Sequence, residues 1–285
     1  MSTGKVAVVT GASRGIGKGV AAELGAAGWT VYVTGHGVPP PPGLGIPADT
    51  SPLQATADLV TARGGRGVAA AVDHTADDQV ATLFEQVATH EGRLDLLVNS
   101  VYENPPEFGR FWERPVADWE PMVTVGLRAQ FVASWHAAQI MVPQGSGLIV
   151  NVSAPGARVH LNSTLFGVSK AGVDKLAHGV ATDLRDTGVK AVSLWPGLVL
   201  TELLTTMRAN GLEAISGLPL AEAETPAFQG RVILGLLADP DLAAKNGATL
   251  YSAELAHEYG VTTEDGRSPA SNRTPLGADP VFTGI

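Results

Sequence analysis

The sequence contains no cysteine. This absence excludes disulfides, thiolate zinc sites, iron–sulfur clusters and a cysteine nucleophile. Charged residues are scarce as well, at 16% of the 285 residues, where a typical globular protein has about 25%. No apolar run reaches the ~18 residues that a membrane-spanning helix needs. A chain so poor in charge is expected to bury much of itself or to cover part of its surface with a partner subunit.

The charge that is present has a negative balance, with 19 Lys and Arg against 28 Asp and Glu, a formal net charge of −9. This balance disfavours binding to nucleic acid and to anionic membrane surfaces. An apolar share of 45% argues against disorder. The first residues do not have the pattern of a signal peptide. We therefore expect a soluble cytoplasmic protein whose partner is a small-molecule substrate, with no nucleic-acid or membrane partner.

Short β-branched runs alternate with stretches of helical periodicity along the chain. Strands are expected at residues 5–10, 30–34, 67–72, 95–99, 148–152, 191–195 and 248–252. Helices are expected at 15–27, 75–90 (with Thr75 and Asp78 as a capping box), 116–142 and 163–187, and after Thr225-Pro226. The alternation predicts an α/β fold, a Rossmann-type doubly wound sandwich in which a parallel sheet of about seven strands carries helices on both faces.

The pattern indicates one domain, because it shows neither a second core nor an internal repeat. We assign residues 1–260 to this domain and 261–285 to an extended C-terminal tail. Pro- and Gly-rich residues at 35–52 predict a loop. Ligands of such sheets bind at the carboxyl ends of the strands. The connections at 100–115 and 197–224 are therefore expected to form the substrate site.

A glycine-rich turn, TGASRGIG at residues 10–17, separates the first expected strand from the first helix. Gly11 permits a tight turn, Gly15 permits close approach of a pyrophosphate, and Gly17 permits close packing of the helix. The helix N-terminus then presents main-chain amides to the phosphates. The turn therefore predicts a dinucleotide site, although a glycine turn without a ligand has the same local pattern.

The same residues also match the G-x-S-x-G nucleophile elbow of hydrolases, with Ser13 as the nucleophile. That chemistry needs an acid and a histidine in loops that follow strands. His178 and His257 have the right order in the chain, but neither falls in such a loop. The position at the first strand and the additional Gly17 favour phosphate binding over hydrolysis.

The end of the second expected strand bears on the choice of cofactor. An acid there binds the ribose hydroxyls and selects NAD, but the chain has Thr34, Gly35 and His36. Arg14 in the glycine turn offers a cation for a 2′-phosphate, and His36 adds a donor. The sequence predicts NADP(H) rather than NAD(H), the alternative being that Arg14 is a solvated turn residue.

These motifs together resemble the classical short-chain dehydrogenase/reductase family over nearly the whole chain to about residue 260. The matching residues are TGASRGIG at 10–17, Asp73, LLVNS at 96–100, Ser153, FGVSK at 166–170 and PGLVLT at 196–201. The segments FWERP, VGLR, MVP, GLIV, SLWPG and TELL are similar to the branch that contains dehydrogenase/reductase family member 1. The resemblance implies an oxidoreductase that forms a homodimer or homotetramer through the helices at 116–142 and 163–187.

The resemblance also implies cofactor-binding roles for residues in five parts of the chain. These are Gly11, Ser13, Arg14, Gly15, Ile16 and Gly17 at the phosphates; Asp73 and His74 at the adenine; Asn99, Ser100 and Lys170 at the nicotinamide-side ribose; and Pro196, Gly197, Val199 and Thr201 at the carboxamide. Ser153 would donate a hydrogen bond to the substrate's carbonyl oxygen. No metal site is expected, because the histidines lack ligand spacing.

The chain departs from the family at the proton donor. The family has a tyrosine four residues before the lysine, so that one helical turn places both on one face. Here that position is Phe166, which has no proton to give, and Thr124 stands where the family often has an asparagine. General acid catalysis contributes about 10²–10⁴-fold, roughly 3–5 kcal/mol of barrier. Ordinary carbonyl reduction is expected to be slower by that amount.

Three explanations of Phe166 remain open from the sequence. In the first, Phe166 is an engineered replacement for the tyrosine of an ordinary parent oxidoreductase. In the second, the substrate is an iminium ion that needs no proton, and in the third, Tyr102 or His160 supplies the proton. Without that role, Tyr102 would line the pocket and His160 would lie at the cleft rim.

The function predicted from the residues and the resemblance is NADP(H)-dependent hydride transfer to or from a mostly apolar ketone, imine or alcohol. The aromatic residues that could line the substrate pocket are Phe108, Phe111, Trp112, Trp119 and Trp195. Trp119 and Trp195 could equally well belong to the hydrophobic core. The alternatives are a redox-silent nucleotide-binding homologue and a non-redox lyase or isomerase that uses the same pocket.

Overall fold

The computed structural model describes residues 4–36, 53–103 and 109–285. Within these residues, the strands are β1 (Val6–Thr10), β2 (Thr30–Gly35), β3 (Arg66–Ala71), β4 (Leu96–Asn99), β5 (Gly147–Val152), β6 (Val189–Trp195), β7 (Ala214–Ile215), β8 (Leu218–Pro219) and β9 (Thr249–Tyr251). Seven of them form one parallel sheet in the order β3-β2-β1-β4-β5-β6-β9, and β7 pairs with β8 as a separate antiparallel hairpin.

The helices cover both faces of this sheet. In the same residues they are α1 (Gly15–Ala26), α2 (Leu53–Ala62), α3 (Asp77–Glu91), α4 (Ala129–Gln144), α5 (Thr164–Asp183), α6 (Glu202–Ala209), α7 (Pro226–Ala238), α8 (Ser252–Tyr259) and α9 (Arg273–Leu276). Apolar residues of α1, α2, α7 and α8 pack on one face, and those of α3, α4 and α5 pack on the other. None of the described helices combines the length and apolarity needed to cross a bilayer.

The apolar strand sequences explain this two-sided packing. Ala7 and Val9 of β1 belong to one core cluster, whereas Val6 and Val8 belong to the other. All four side chains are fully buried because successive residues of a strand point to opposite faces. The predicted fold class, a Rossmann-type doubly wound parallel sheet, is confirmed.

The connection between β4 and α4 differs from the single helix expected at 116–142. It contains a 3₁₀ turn at Val116–Asp118 and a π-helix at Glu120–Arg128 before α4 begins. Gly126 lies in the π-helix, where an added Cβ would be 2.8 Å from Ser169 Oγ and 3.1 Å from the Tyr102 ring. The wide turn thus lies against the residues that surround Lys170 on α5.

Two further local expectations need correction. The prediction of a capping box at Thr75 and Asp78 was wrong. The helix α3 begins at Asp77, and the Thr75 hydroxyl instead donates to Asp73 Oδ1 at 2.7 Å. The helix α2 was not predicted, since its apolar residues follow the Pro- and Gly-rich segment directly. The N-cap at Thr225 was correct, because its hydroxyl accepts a hydrogen bond from the Phe228 amide at 3.1 Å.

The last residues run along the edge strand β9. The Phe282 carbonyl accepts a hydrogen bond from the Thr249 amide at 2.9 Å, and the Phe282 ring stacks on His178 at 4.2 Å between ring centroids. The tail also contains the short helix α9. The assignment of residues 1–260 as the domain stays a prediction, and most of the expected loop at 35–52 lies outside the described residues.

Candidate active site

The glycine-rich turn joins β1 to α1 at the carboxyl edge of the sheet. Gly11 and Gly15 have φ angles of +64° and +56°, in the left-handed region that favours glycine. A Cβ at Gly11 would lie 2.7 Å from the Ser100 carbonyl oxygen, and one at Gly17 would lie 2.6 Å from the Gly11 carbonyl oxygen. The turn therefore packs through main-chain atoms alone and has no room for a side chain at either glycine.

His74 is held beneath the end of β2. Its Nε2 lies 2.8 Å from Thr34 Oγ1, and burial lowers the pKa of His74 to about 4, which keeps the ring neutral near pH 7. Asp73 lies nearer the surface, where hydrogen bonds from the Thr75 amide and hydroxyl lower its pKa. The His74 side chain thus fixes the strand end, while Asp73 is the more accessible of the two.

A cationic and a polar side chain follow β1 and β2, which pair in parallel. Arg14 is the N-cap of α1 and makes no ion pair with any residue that the structure describes. His36 is exposed one residue beyond β2. Among the residues that the structure describes at the end of β2, Thr34, Gly35 and His36, there is no carboxylate.

Asn99 at the end of β4 is fully buried and joins three elements. Its Nδ2 donates to Asn151 Oδ1 at 2.9 Å and to Ser134 Oγ at 3.0 Å. The following Ser100 donates its amide to Thr10 Oγ1 at 3.0 Å. Asn99 therefore ties β4 to β5 and α4, and the backbone of Ser100 ties the next loop to the glycine turn.

The structure brings Ser153, Phe166 and Lys170 together between β5 and α5. Ser153 follows β5 directly, and its Oγ donates to the Lys170 carbonyl oxygen at 3.1 Å. Lys170 Nζ donates to the Val152 carbonyl oxygen at 3.2 Å and lies 5.8 Å from the centroid of the Phe166 ring. Phe166 and Lys170 are one turn apart on α5 and share a face, as the spacing predicted.

Burial shapes the electrostatics of this group. Lys170 is 5% exposed, and burial lowers its pKa to about 8. Asp174, one turn further along α5, is buried too, and desolvation raises its pKa to about 6. Asp174 accepts hydrogen bonds from Ser193 Oγ at 2.5 Å and from Trp195 Nε1 at 3.0 Å. The site thus holds a lysine and a carboxyl whose charged forms are both disfavoured by burial.

Tyr102 covers the lysine from the loop after β4. Its ring centroid lies 4.5 Å from Lys170 Nζ, and its ring meets that of Phe166 edge-on at 5.9 Å. Burial raises the pKa of the Tyr102 phenol. An apolar cluster surrounds the two rings, formed by Met122, Val123, Leu127, Ala154, Leu161 and Leu165.

The other aromatic and histidine candidates lie elsewhere. His160 is exposed in the turn before α5. Phe111 and Trp112 are 68% and 63% exposed, so they do not line an enclosed pocket. Trp195 is fully buried against Tyr251 in the core. Phe108 lies outside the described residues.

A buried carboxyl, that of Glu224, bonds to the segment that follows β6. Glu224 Oε2 accepts the Gly197 amide at 3.1 Å, and the Glu224 backbone exchanges hydrogen bonds with Leu198 and Leu200. Ser252 Oγ donates to the same carboxyl at 2.8 Å. Burial raises the pKa of Glu224 to about 7. The segment that contains Pro196, Gly197, Val199 and Thr201 therefore has a fixed backbone path.

The residues around the glycine turn fit a dinucleotide. The Gly15 amide already donates to a carboxylate oxygen, Glu202 Oε2, at 2.9 Å, which places an anion where α1 begins. A Cβ at Gly11 or Gly17 would fill the space against the main chain. The helix N-terminus favours negative charge. A nicotinamide dinucleotide would lie against Gly11, Gly15 and Gly17 and would supply the hydride.

Sequence reasoning missed Asp174, Glu202 and Glu224. Asp174 had a usable signal, since it continues the spacing of four residues from Phe166 through Lys170. Glu202 and Glu224 had none, because their partners are 187 and 27 residues away along the chain. The hydrolase alternative receives no support, because His178 and His257 lie within α5 and α8 rather than in loops after strands.

Comparison with known proteins agrees with these features. The model of the short chain dehydrogenase family matches residues 5–211. Dehydrogenase/reductase SDR family member 1 of Mus musculus is 41% identical over 96% of this chain and 87% of its own length. The Homo sapiens protein of the same name is 40% identical over 93% of this chain and 84% of its own length.

Solved structures have the same fold. A short chain dehydrogenase from Mycobacterium thermoresistibile superposes with a TM-score of 0.77 at 23% identity, covering 98% of this chain and 95% of that one. A short chain dehydrogenase from Mycobacterium paratuberculosis, solved with NAD bound, has a TM-score of 0.73 at 22% identity over 87% of this chain and 95% of its own. The chain therefore belongs to the short-chain dehydrogenase/reductase family of oxidoreductases, in the branch of dehydrogenase/reductase family member 1.

Proposed function

We propose that the protein is an NADP(H)-dependent oxidoreductase that transfers hydride to or from a mostly apolar ketone, imine or alcohol. The observation that carries this proposal is the bond from Ser153 Oγ to the Lys170 carbonyl, with Phe166 in the place of the family's tyrosine. Ser153 would donate a hydrogen bond to the substrate's oxygen or nitrogen, and Lys170 would hold the ribose on the nicotinamide side.

The preference for NADP(H) is supported by the groups at the ends of β1 and β2. Arg14 has no carboxylate partner among the described residues, and no acid follows β2. A guanidinium binds a phosphate through paired hydrogen bonds. The 2′-phosphate of NADP would lie against Arg14, with His36 beside it.

An apolar substrate is supported by the cluster around Phe166 and Tyr102. A substrate enclosed by Met122, Val123 and Leu161 would leave water when it binds, which stabilises apolar carbon. Phe166 donates no proton to this pocket. Hydride addition to an iminium ion yields a neutral amine directly. An imine that is already protonated to its iminium ion in solution therefore needs no acid at this position, and the imines of the tests below are of this kind.

For a ketone, another group must protonate the developing alkoxide. Tyr102 is the stronger of the two candidates, because its ring contacts both Lys170 and Phe166, whereas His160 is exposed in the turn before α5. We therefore propose Tyr102 as the source of the proton where a ketone is reduced. Replacing Tyr102 by Phe would then reduce ketone turnover and leave imine turnover unchanged.

The test is a titration with NADPH and NADH, followed by turnover of a panel of ketones, imines and alcohols. We expect cofactor fluorescence to show tighter binding of NADPH than of NADH, and faster turnover of imines than of matched ketones. Absence of binding by either cofactor would overturn the proposal.

A second candidate function is redox-silent nucleotide binding. The bond from Lys170 Nζ to the Val152 carbonyl favours it, because that contact directs one of the three ammonium N–H groups to the protein's own backbone. Tight NADPH binding without turnover, both in the wild type and after Phe166→Tyr, would select this alternative.

We also propose that the protein forms a homodimer or homotetramer through α4 and α5. Phe131 and Trp135 of α4 are 51% and 53% exposed, and Val168 of α5 is 45% exposed. Large apolar side chains grouped on adjoining helices are typical of subunit interfaces.

A further inference from the structure

The first turn of α1 is capped by a carboxylate from a distant part of the chain. Glu202 Oε2 accepts the Gly15 amide at 2.9 Å across a sequence separation of 187 residues. The helix has no acidic residue in its own first turn, and its N-cap, Arg14, makes no side-chain capping bond. The anion at this helix N-terminus is therefore Glu202.

Two helix N-termini converge on this carboxylate. Glu202 is the first residue of α6, and Thr201 is the N-cap of that helix. Gly15 begins α1, and a Cβ there would lie 3.3 Å from Thr201 Cγ2, so the starts of the two helices touch. The positive ends of both helix dipoles therefore favour a negative group here.

The helix α6 lies at the surface, and the segment before it is bonded to Glu224 through Leu198 and Leu200. None of the residues of this helix is buried. The bond from Gly15 to Glu202 and the contact of Thr201 thus tie the start of this helix to the glycine turn.

We propose that Glu202 competes with the cofactor's diphosphate for the Gly15 amide and so sets the affinity of the protein for its cofactor. The inference rests on the proposed function, in which a dinucleotide binds at the glycine turn. One N–H cannot donate fully to both acceptors, and two anions at adjacent positions repel each other. Binding of the diphosphate would displace the Glu202 side chain, which lies within the loop expected to form the substrate site.

The test measures NADPH affinity by cofactor fluorescence in four proteins. These are the wild type, Glu202→Gln, Glu202→Ala and the control Glu213→Gln. Glu213 is exposed in the same segment, so its replacement changes the net charge equally without touching the glycine turn. The glutamine variant removes the charge and keeps an acceptor, whereas the alanine variant removes both.

We expect the Kd of NADPH to fall about three- to tenfold in Glu202→Gln, and at least as much in Glu202→Ala, because a partly buried anion at a helix N-terminus contributes energy of that order. The gain should shrink at high salt, since screening weakens the repulsion. Glu213→Gln should match the wild type.

Equal affinity of all four proteins would overturn the inference and leave the proposed function intact, and so would weaker binding in the Glu202 variants. A gain of the same size in Glu213→Gln would also overturn it, since the effect would then be one of net charge alone. Failure of every protein to bind NADPH would instead refute the proposed function. Thermal unfolding of each variant checks that the affinities refer to folded protein.

Discussion

Introducing a hydroxyl at residue 166 should raise the rate of ketone reduction. In Phe166→Tyr the phenol would stand on the same face of α5 as Lys170, whose Nζ lies 5.8 Å from the centroid of the present ring. General acid catalysis is worth about 10²–10⁴-fold, or roughly 3–5 kcal/mol. The role proposed for Tyr102 would recover part of this in the wild type, so we expect an increase of at least about tenfold.

The assay follows NADPH consumption at saturating ketone, in parallel with an imine of similar shape. The gain should be confined to the ketone, because hydride addition to an iminium ion requires no acid. Phe166→Leu is the matched control, since it alters the same apolar position without adding a hydroxyl, and it should give no gain.

The stability of the Phe166→Tyr variant needs a separate check. Phe166 is 8% exposed within its apolar cluster, so an unpaired hydroxyl there would cost about 1–3 kcal/mol of the free energy of unfolding. A folded variant that binds NADPH as the wild type does, yet reduces no ketone faster, would refute the assignment of residue 166 to the proton-donor position.

Three further predictions concern cofactor binding, the buried carboxyl of Glu224 and the subunit interface. Arg14→Ala should weaken NADPH binding by at least about tenfold and leave NADH binding unchanged, because only NADP has the 2′-phosphate; equal losses for both cofactors would contradict this role. The raised pKa of Glu224 means that the folded state binds the proton more tightly than the unfolded state, so the free energy of unfolding should fall by up to about 3 kcal/mol as pH rises from 4.5 to about 7. Urea denaturation of Glu224→Gln should lack that slope, and an unchanged slope would refute the assignment. Trp135→Glu should shift the protein towards monomer in light scattering, and an unaltered oligomer would exclude that face.

Much of the fold could be predicted because its signals are local. The strands are runs of β-branched residues buried on both sides, and the glycine turn is a contiguous motif whose left-handed φ angles only glycine adopts readily. The N-cap at Thr225 was predicted for the same reason, since a cap depends on residues three apart.

The misses depend on tertiary contacts. The segment before α4 has a helical period, but it winds as a π-helix where Gly126 meets Tyr102 and Ser169, and nothing local specifies that contact. The Thr75 hydroxyl bonds to Asp73, which precedes it in the chain, rather than to the first turn of α3. The capping-box pattern in the sequence is the same for both arrangements.

The candidate site likewise contains residues that the sequence identifies and residues that only the fold reveals. Family spacing placed Ser153, Phe166 and Lys170, which the fold brings into contact. The carboxyl groups of Glu202 and Glu224 act on backbone amides far away in the chain, so only the folded structure reveals them.

The proposed function depends most on the placement of the diphosphate, and a crystal structure of the protein with NADPH tests this directly. We predict the diphosphate oxygens within hydrogen-bonding distance of the main-chain amides of residues 11–17, with the 2′-phosphate at Arg14. Cofactor density at another place in the fold, with the glycine turn still bonded to Glu202, would contradict the account.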